Sequence, residues 1–221
     1  MHVQTRQCLN PSCRFRFPWN ENDPPTPLCP RCGGPLEIVA ERLLSVEMAP
    51  RPVVGQTDRP FVAALLDNVR STFNVGSIFR CADGAGFAHL YLCGITPTPA
   101  HPKVLKTALG AEATTPWSYH RNALELAHEL VPQGYRIWVL EEQPEATSLF
   151  APDLVIGEEP LLLVLGNEVA GVDPGLLAIA EQVVAIPMQG AKRSLNVAIA
   201  FGIAAYTVRF LVDRTSCYNT D

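Results

Sequence analysis

The sequence predicts an α/β fold, in which helices cover both faces of a mostly parallel sheet, together with a small N-terminal zinc ribbon. The sheet is indicated by short apolar runs that alternate with helical segments after residue 60. Strands that are apolar throughout and separated by helices are typical of parallel sheets buried on both faces. The ribbon is indicated by four cysteines within the first 32 residues. A chain of 221 residues with 48% hydrophobic content can hold one large core and one small appendage.

The ribbon prediction rests on the spacing of its cysteines, which are Cys8, Cys13, Cys29 and Cys32. Two pairs separated by fifteen residues approach the spacing of structural zinc sites, and the two glycines after Cys32 favour a tight turn around a metal. Because four thiolates complete a tetrahedral shell, no position is left for a catalytic water, so the zinc is predicted to be structural. The alternative is a set of unliganded cysteines.

Basic and aromatic residues alternate between the two cysteine pairs, where Arg14 and Arg16 are interleaved with Phe15, Phe17 and Trp19. One interpretation is an RNA-binding surface, on which bases stack and the arginines bind phosphates. The other is a β-hairpin whose aromatic side chains form the small core of the ribbon while the arginines are solvated. Both interpretations stay open at this point.

We place the zinc ribbon in residues 1–48, a linker in residues 49–60 and a second domain in residues 61–221. The linker segment contains three prolines and a glycine, which favour an extended connection. In the second domain the apolar runs predict strands at residues 61–67, 89–94, 135–141, 160–166 and 183–188. Helices are predicted at residues 75–85, 102–109, 123–131 and 174–180, and in a long apolar segment from residue 197 onwards.

Ligands of parallel α/β folds bind beyond the carboxyl ends of the strands, and polar residues of this chain gather there. After the first strand, Asn74 is predicted to cap a helix, Gly76 permits close approach, and Arg80 needs a partner. After the fourth strand, Glu168 stands between glycines, and Asp173 is predicted to cap the helix that follows.

The third polar cluster follows the last strand, in residues 186–196. Ser194 is predicted to be the N-cap of the closing helix, and Asn196 is predicted to lie in its first turn. The start of a helix offers unpaired N–H groups and the positive end of the helix dipole to a ligand.

Taken together, the three clusters resemble the SpoU/TrmH-type branch of the SPOUT RNA methyltransferases. The resemblance rests on Asn-x-Gly-x-x-x-Arg at residues 74–80, on Gly-Asn-Glu-x-x-Gly at residues 166–171, and on Ile-Pro-Met-x-Gly-x-x-x-Ser-Leu-Asn-Val-Ala-x-Ala at residues 186–200. It covers residues 61–212, so the ribbon is not part of the family core.

This resemblance implies a sheet with a C-terminal trefoil knot that holds S-adenosylmethionine, and a homodimer with the active site near the subunit interface. The residues that it implies for cofactor binding are Leu165, Gly166, Ile186, Met188, Leu195 and Asn196. Those that match the family's polar active-site set are Asn74, Arg80, Glu168, Ser194 and Asn196.

The implied reaction is methyl transfer to a ribose 2′-hydroxyl of tRNA or rRNA. Arg80 is the residue to which the family points as a base, yet the guanidinium of arginine has a pKa above roughly 12 and is a poor base. Orienting a phosphate and stabilising alkoxide charge is the role we expect of it. Candidate RNA-binding residues are Arg14, Arg16, Lys103, Lys106, Lys192 and Arg193. Alternatives are methylation of a base nitrogen and a non-catalytic RNA-binding or ribosome-assembly role.

Composition and motifs exclude several other classes. A net charge of -5 argues against broad electrostatic binding of nucleic acid, so any RNA must be attracted by local patches. The first strand is not followed by the Gly-x-Gly-x-x-Gly turn of dinucleotide-binding folds, and the chain lacks the Gly-x-Ser-x-Gly elbow of serine hydrolases. Apolar runs shorter than the roughly 20 residues of a membrane span, and an N-terminus without a signal-like segment, predict a cytoplasmic protein.

Overall fold

Three antiparallel strands form the N-terminal unit, in the order β2-β1-β3. They are β1 (His2–Cys8), β2 (Arg16–Asn20) and β3 (Leu36–Leu43). The computed structural model describes residues 1–43 and 61–218, with side chains as far as residue 211, and these residues fall into two separate units. The predicted linker, residues 49–60, lies outside the described residues.

Aromatic side chains form much of the interior of this ribbon. Phe15 and Phe17 stack with their ring centroids 5.5 Å apart, and the guanidinium carbon of Arg6 lies 3.8 Å from the centroid of the Trp19 ring. Phe15, Phe17 and Trp19 are half-buried, whereas Arg14 and Arg16 are exposed. The aromatic residues therefore form a small core, and the arginines are left on the surface.

Seven strands form one parallel sheet in the second unit, in the order β6-β5-β4-β9-β7-β10-β8. The strands are β4 (Val62–Asp67), β5 (His89–Cys93), β6 (Trp117–His120), β7 (Arg136–Leu140), β8 (Thr147–Ser148), β9 (Leu161–Leu165) and β10 (Gln182–Ala185). This confirms the predicted parallel sheet. The sequence did not predict β6 and β8, which are the two edge strands and are four and two residues long.

Six helices pack on this sheet: α1 (Thr72–Ala85), α2 (Pro102–Ala108), α3 (Ala111–Thr114), α4 (Ala123–Leu130), α5 (Pro174–Ala178) and α6 (Val197–Tyr218). Side chains of α1, α2 and α6 share one buried cluster with Leu66, and side chains of α4 and α5 share another with Leu65. Burying each of these leucines contributes about 1.5–3 kcal/mol. Helices thus cover both faces, as predicted. None of the helices in the described ranges has the length and hydropathy required to cross a bilayer.

Two of the predicted helix caps are wrong, and in both cases the cap lies elsewhere. Helix α1 begins at Thr72, and its N-cap is Ser71, whose Oγ accepts a hydrogen bond from the Asn74 N–H at 3.3 Å. Ser71 has the extended backbone of an N-cap, with φ of -78°. Asn74 therefore lies inside the helix, and its side chain is free to bind other groups.

Asn196, rather than Ser194, caps the closing helix. Helix α6 begins at Val197, and Asn196 Oδ1 accepts a hydrogen bond from the Ala198 N–H at 2.9 Å. The prediction for the intervening helix is confirmed, because Asp173 Oδ1 accepts the Gly175 N–H at 2.7 Å at the start of α5.

Candidate active site

A cavity of about 400 Å³ lies at the carboxyl ends of β7, β9 and β10. Three segments line it: residues 140–142 at the end of β7, residues from 165 to 171 at the end of β9, and residues from 185 to 200, which run from the end of β10 into the first turn of α6. Its lining includes every residue that the sequence predicted for cofactor binding, namely Leu165, Gly166, Ile186, Met188, Leu195 and Asn196. It also includes Glu168, Arg193 and Ser194.

The loop after β9 is a tight turn that requires glycine at position 166. Asn167 and Gly171 exchange both backbone hydrogen bonds at 2.9 Å, and Asn167 Oδ1 accepts the Val169 N–H at 2.9 Å. A Cβ atom on Gly166 would lie 2.2 Å from the Gly171 carbonyl carbon and 2.3 Å from the Val172 nitrogen. No side chain fits there, so the glycine allows the loop to fold back onto the strand end.

A hydrogen-bonded chain connects the three polar clusters of the sequence. Asn196 Nδ2 donates to Asn74 Oδ1 at 2.9 Å, and Asn74 Nδ2 donates to Glu168 Oε1 at 2.9 Å. The Glu168 carboxylate also accepts the backbone N–H groups of Arg70 at 2.9 Å and Ser71 at 3.1 Å. The chain joins α1, the loop after β9 and the start of α6, whose residues are 94 and 122 positions apart in sequence.

Glu168 is held as a carboxylate by these donors. Partial burial disfavours its charged form, but the N–H groups of Arg70 and Ser71 and the Asn74 amide outweigh burial and lower the pKa of Glu168 below its ordinary value. Its position at the start of α1 adds the favourable field of the helix N-terminus. Glu168 therefore accepts hydrogen bonds as a carboxylate at neutral pH.

Replacing Glu168 with glutamine is expected to destabilise the protein at pH 7, by about 1 kcal/mol once solvent screening is allowed for. Since the folded state lowers the pKa of Glu168, its contribution to stability is present above the unfolded pKa and is lost as the pH falls through the folded value. Thermal unfolding of the wild type and of Glu168→Gln between pH 7 and pH 3 checks this. The difference between their melting temperatures should shrink as the pH falls. Glu142→Gln is the matched control. If the loss of stability in Glu168→Gln were the same at every pH, the negative charge of Glu168 would not be what stabilises the protein.

The sequence missed two acidic residues on the cavity wall and a third, Asp67, that lies outside the lining and holds the segment after it. Glu141 and Glu142 line the cavity, and Glu141 Oε2 accepts the Val172 N–H at 3.1 Å, which fixes the end of the loop after β9. Buried Asp67, at the end of β4, accepts the Asp173 N–H at 2.9 Å, and burial raises the pKa of Asp67 above its ordinary value. All three end or directly follow strands of the sheet, and that position is the signal that would have found them.

Five predicted residues of the second unit lie outside the cavity lining. One of them, Asn74, is joined to the lining by its hydrogen bonds with Glu168 and Asn196. Arg80 is exposed on α1, and within the described residues no hydrogen bond or ion pair involves it. Lys103 and Lys106 are exposed on α2, and Lys192 is exposed in the loop before α6. The structure therefore brings Asn74, Glu168, Ser194 and Asn196 together, while Arg80 and the three lysines remain on the surface.

The four cysteines of the ribbon converge as the spacing predicted. Their Sγ atoms all lie within 4.8 Å of one another, with Cys8 and Cys32 separated by 3.5 Å and Cys13 and Cys29 by 3.8 Å. A tetrahedral zinc ion with Zn–S bonds of about 2.3 Å places its sulfur atoms about 3.8 Å apart. A Cβ atom on Gly34 would lie 3.3 Å from the Sγ atoms of Cys8 and Cys32. The donor set and its spacing fit zinc.

The fold and the cavity define an α/β ligand-binding domain with its site at the carboxyl ends of parallel strands. The chain belongs to the SpoU rRNA methylase family, whose model matches residues 62–206. This confirms the resemblance described above, and the parallel α/β fold class is confirmed with it.

Individual relatives are similar over about two thirds of the chain. The 23S rRNA (guanosine(2553)-2′-O)-methyltransferase RlmP of Bacillus subtilis is 32% identical over 145 residues, covering 66% of this chain and 56% of the relative. The tRNA (guanosine(18)-2′-O)-methyltransferase of Aquifex aeolicus is 31% identical over 144 residues, covering 63% of this chain and 64% of the relative. The crystal structure of the SpoU methyltransferase AviRb from Streptomyces viridochromogenes with AdoMet superposes on this chain with a TM-score of 0.63 and 26% sequence identity. The match covers 72% of this chain and 62% of AviRb. The chain thus spans less than two thirds of each relative.

Proposed function

We propose that the protein is an S-adenosylmethionine-dependent RNA methyltransferase that methylates a ribose 2′-hydroxyl of rRNA or tRNA. The observation that carries the proposal is the hydrogen-bonded chain of Asn196, Asn74 and Glu168 beside the cavity. The names of the relatives support it, since those from Bacillus subtilis and Aquifex aeolicus are guanosine 2′-O-methyltransferases of rRNA and of tRNA. These names favour the ribose over a base nitrogen as the methylated group.

The cavity suits S-adenosylmethionine in size and charge. Its volume of about 400 Å³ falls within the range of roughly 300–1,000 Å³ found for small-molecule sites. Glu141, Glu142 and Glu168 place three carboxylates on the lining against the single guanidinium of Arg193, which favours a cationic ligand. When bound, the cofactor supplies a methyl group on a sulfonium, which is a good leaving group. Backbone groups of Leu165, Ile186 and Leu195 would hold it, and AviRb was crystallised with AdoMet.

The polar chain of the site positions the reacting groups in this proposal. Glu168 fixes Asn74, and Asn74 in turn orients the side chain of Asn196 on the cavity wall. Ser194 is exposed on the same wall, where its hydroxyl is free to hydrogen-bond the target ribose. Placing the hydroxyl in line with the methyl group is the main task of such an enzyme, since positioning lowers the entropic barrier.

Arg80 binds the RNA backbone in this proposal. Its guanidinium is exposed, and it has no hydrogen bond or ion pair within the described residues. Because arginine stays protonated, Arg80 orients the phosphate beside the target ribose and stabilises the charge that develops on the 2′-oxygen. Further phosphate contacts come from Lys103, Lys106, Lys192 and Arg193, which are all exposed.

The proposed enzyme is a cytoplasmic homodimer whose chain forms the trefoil knot of its family. Exposed aromatic residues on α6 support the dimer, since Tyr206 is 46% exposed and Phe210 is 67% exposed. Phe201 is not part of that surface, because it is buried and its ring packs edge-on against Phe87 at 5.2 Å. The knot is supported by the two loops after β9 and β10, which line one cavity.

The test is transfer of labelled methyl from S-adenosylmethionine to unmodified rRNA and tRNA, with the product mapped by nuclease digestion and mass spectrometry. We expect a ribose-methylated nucleotide from the wild type and a rate roughly 100-fold lower from Arg80→Ala. Arg121→Ala is the matched control, because Arg121 is also exposed in the second unit. A methyl group on a base would show that the protein methylates a base nitrogen and not the ribose. If the wild type neither methylates RNA nor binds the cofactor, the non-catalytic RNA-binding alternative replaces this proposal.

A further inference from the structure

The two cysteine turns of the ribbon are built alike. In the first turn, the Cys8 N–H donates to the carbonyl of Phe15 at 2.8 Å. In the second, the Cys29 N–H donates to the carbonyl of Gly34, also at 2.8 Å. In each case the acceptor lies two residues after the second cysteine of its pair. The residue between that cysteine and the acceptor therefore occupies an equivalent position in both turns.

This equivalent position has a left-handed backbone in both turns but carries different residues. Gly33 occupies it in the second turn with φ of 70°, and Arg14 occupies it in the first with φ of 46°. Glycine suits a positive φ, whereas a residue with a Cβ atom is disfavoured there. An arginine at this position works against the stability of the turn. This backbone conformation motivates a search for a role of the Arg14 side chain outside folding.

Two more arginines lie at the same end of the ribbon, next to the cysteines. Arg16 begins β2, and Arg31 stands between Cys29 and Cys32. Arg14, Arg16 and Arg31 are all exposed, and among residues 1–43 none of them has a hydrogen bond or ion pair through its guanidinium. We call these three residues the arginine patch. By contrast, the guanidinium of Arg6 is engaged, since it lies over the Trp19 ring and donates to the Thr26 carbonyl at 3.0 Å.

The acidic residues of the ribbon are engaged or lie at its other end. Glu41 lies near the end of β3, where it accepts the Gln4 amide at 2.8 Å. Asp23 follows β2 and accepts the Asn20 N–H at 2.9 Å. Glu37 is the acidic residue nearest the patch, and it accepts the Gln7 amide at 3.5 Å. Three free guanidiniums (+3) thus stand at the cysteine end of the ribbon, and they exceed the net charge of -2 that four thiolates (-4) and one zinc ion (+2) place there.

We propose that the arginine patch binds phosphates of the RNA substrate, as a second RNA contact separate from the candidate active site. That the RNA bound by the patch is the substrate of the enzyme rests on the proposed function. The net charge of the whole chain is -5, so binding of a polyanion needs a local concentration of cations such as this one. Free guanidiniums match phosphate oxygens in a two-pronged geometry. The aromatic side chains are not required, since they form the interior of the ribbon.

The test measures binding of labelled, unmodified rRNA and tRNA transcripts to the full-length, zinc-loaded protein by fluorescence anisotropy. The triple variant Arg14→Glu, Arg16→Glu, Arg31→Glu is expected to bind at least tenfold more weakly at 0.15 M salt. The slope of log K against log salt should fall by roughly 2, at about 0.7 per phosphate contact on a single strand. The matched control is Arg42→Glu, an exposed arginine near the end of β3, compared with Arg14→Glu alone.

Equal losses from Arg14→Glu and Arg42→Glu would show an effect of total charge and would overturn the proposal. So would displacement of the RNA by polyglutamate as readily as by inorganic polyphosphate, because that result points to an acidic protein partner. If the wild type methylates RNA and the triple variant binds it as tightly as the wild type, only the patch fails. If the wild type methylates nothing but the binding contrast holds, the proposed reaction fails and the patch stands.

A second variant separates binding from folding. Arg14→Gly removes the side chain and gives the turn the residue that its backbone favours, as in the second turn. We expect the ribbon of Arg14→Gly to keep its zinc at higher chelator concentrations than the wild type, and RNA binding to weaken about threefold. Unchanged RNA binding in this variant, or a less stable ribbon, would overturn the proposal.

Discussion

Gly166→Ala is expected to weaken cofactor binding at least 100-fold and to lower the melting temperature by about 10 °C. The added Cβ would overlap backbone atoms of Gly171 and Val172 at 2.2–2.4 Å, and backbone cannot move aside as a flexible side chain can. Forcing such an overlap costs about 3 kcal/mol, and each kcal/mol lowers the melting temperature by roughly 2–4 °C in a chain of this size. The loop after β9 then leaves the cavity wall. Calorimetric titration with S-adenosylmethionine should show at least a 100-fold weaker affinity.

Gly190→Ala is the matched control for that experiment. Gly190 lies in the loop between β10 and α6, and nothing lies within 4 Å of a Cβ atom built on it. Its backbone does not have a positive φ, so alanine is accommodated without strain. We expect wild-type affinity and melting temperature. Wild-type affinity in Gly166→Ala would show that the loop after β9 does not hold the cofactor.

The strands that the sequence predicted and those that it missed differ in burial. Strands β4 and β9 lie in the middle of the sheet and are buried at every position, so they read as continuous apolar runs. Strand β6 lies at the edge, with Trp117 and Tyr119 exposed on one side, and β8 has only two residues. An edge strand contacts a neighbour on one side only, so its sequence carries a weaker apolar signal.

The site was predicted through short motifs, and its details depend on contacts between distant parts of the chain. A local preference for asparagine at helix starts suggested Asn74 as a cap, but Ser71 has that role. The Asn74 amide instead donates to Glu168, which lies 94 residues further along the chain. No local pattern contains such a contact. Glu141 and Glu142 stand at the end of a predicted strand, which marks them as candidates. Their place on the cavity wall also depends on the order of the strands in the sheet, which the sequence did not predict.

The cysteine cluster could be predicted because its determinant is local spacing. Two pairs of cysteines in tight turns need only a short hairpin to bring them together. In the ribbon, β1 ends at the first pair, β2 lies between the pairs, and β3 follows the second pair. The arginine patch had only a partial signal: alternation with aromatic residues pointed to Arg14 and Arg16 as RNA-binding candidates, but nothing pointed to Arg31. Its significance depends on the positive φ of Arg14 and on the absence of partners for its guanidiniums within residues 1–43, and both are visible only in the folded ribbon.

Loss of zinc is expected to unfold the ribbon and to leave the second unit folded. Within residues 1–43 the only buried apolar or cysteine side chains are Val3, Cys8 and Cys29, which is too small a core to stabilise three strands. Structural zinc binds small domains with an apparent free energy of about 10–16 kcal/mol. Because a domain with so small a core does not form the site without the metal, this binding free energy is what stabilises its fold. In a Cys29→Ser protein treated with chelator, amide resonances of residues 1–43 should collapse to unfolded positions. Those of residues 61–218 should keep their dispersion.

Cys81→Ser is the matched control, since Cys81 is half-buried in α1 and lies outside the cysteine cluster. It should retain one zinc ion per chain by mass spectrometry under native conditions, whereas Cys29→Ser should retain none. The two units are separate compact clusters, so cofactor affinity should change little when the ribbon unfolds. A metal-free ribbon that kept dispersed resonances would show that the stacked aromatic residues suffice to fold it. The four thiols would then be dispensable for its structure.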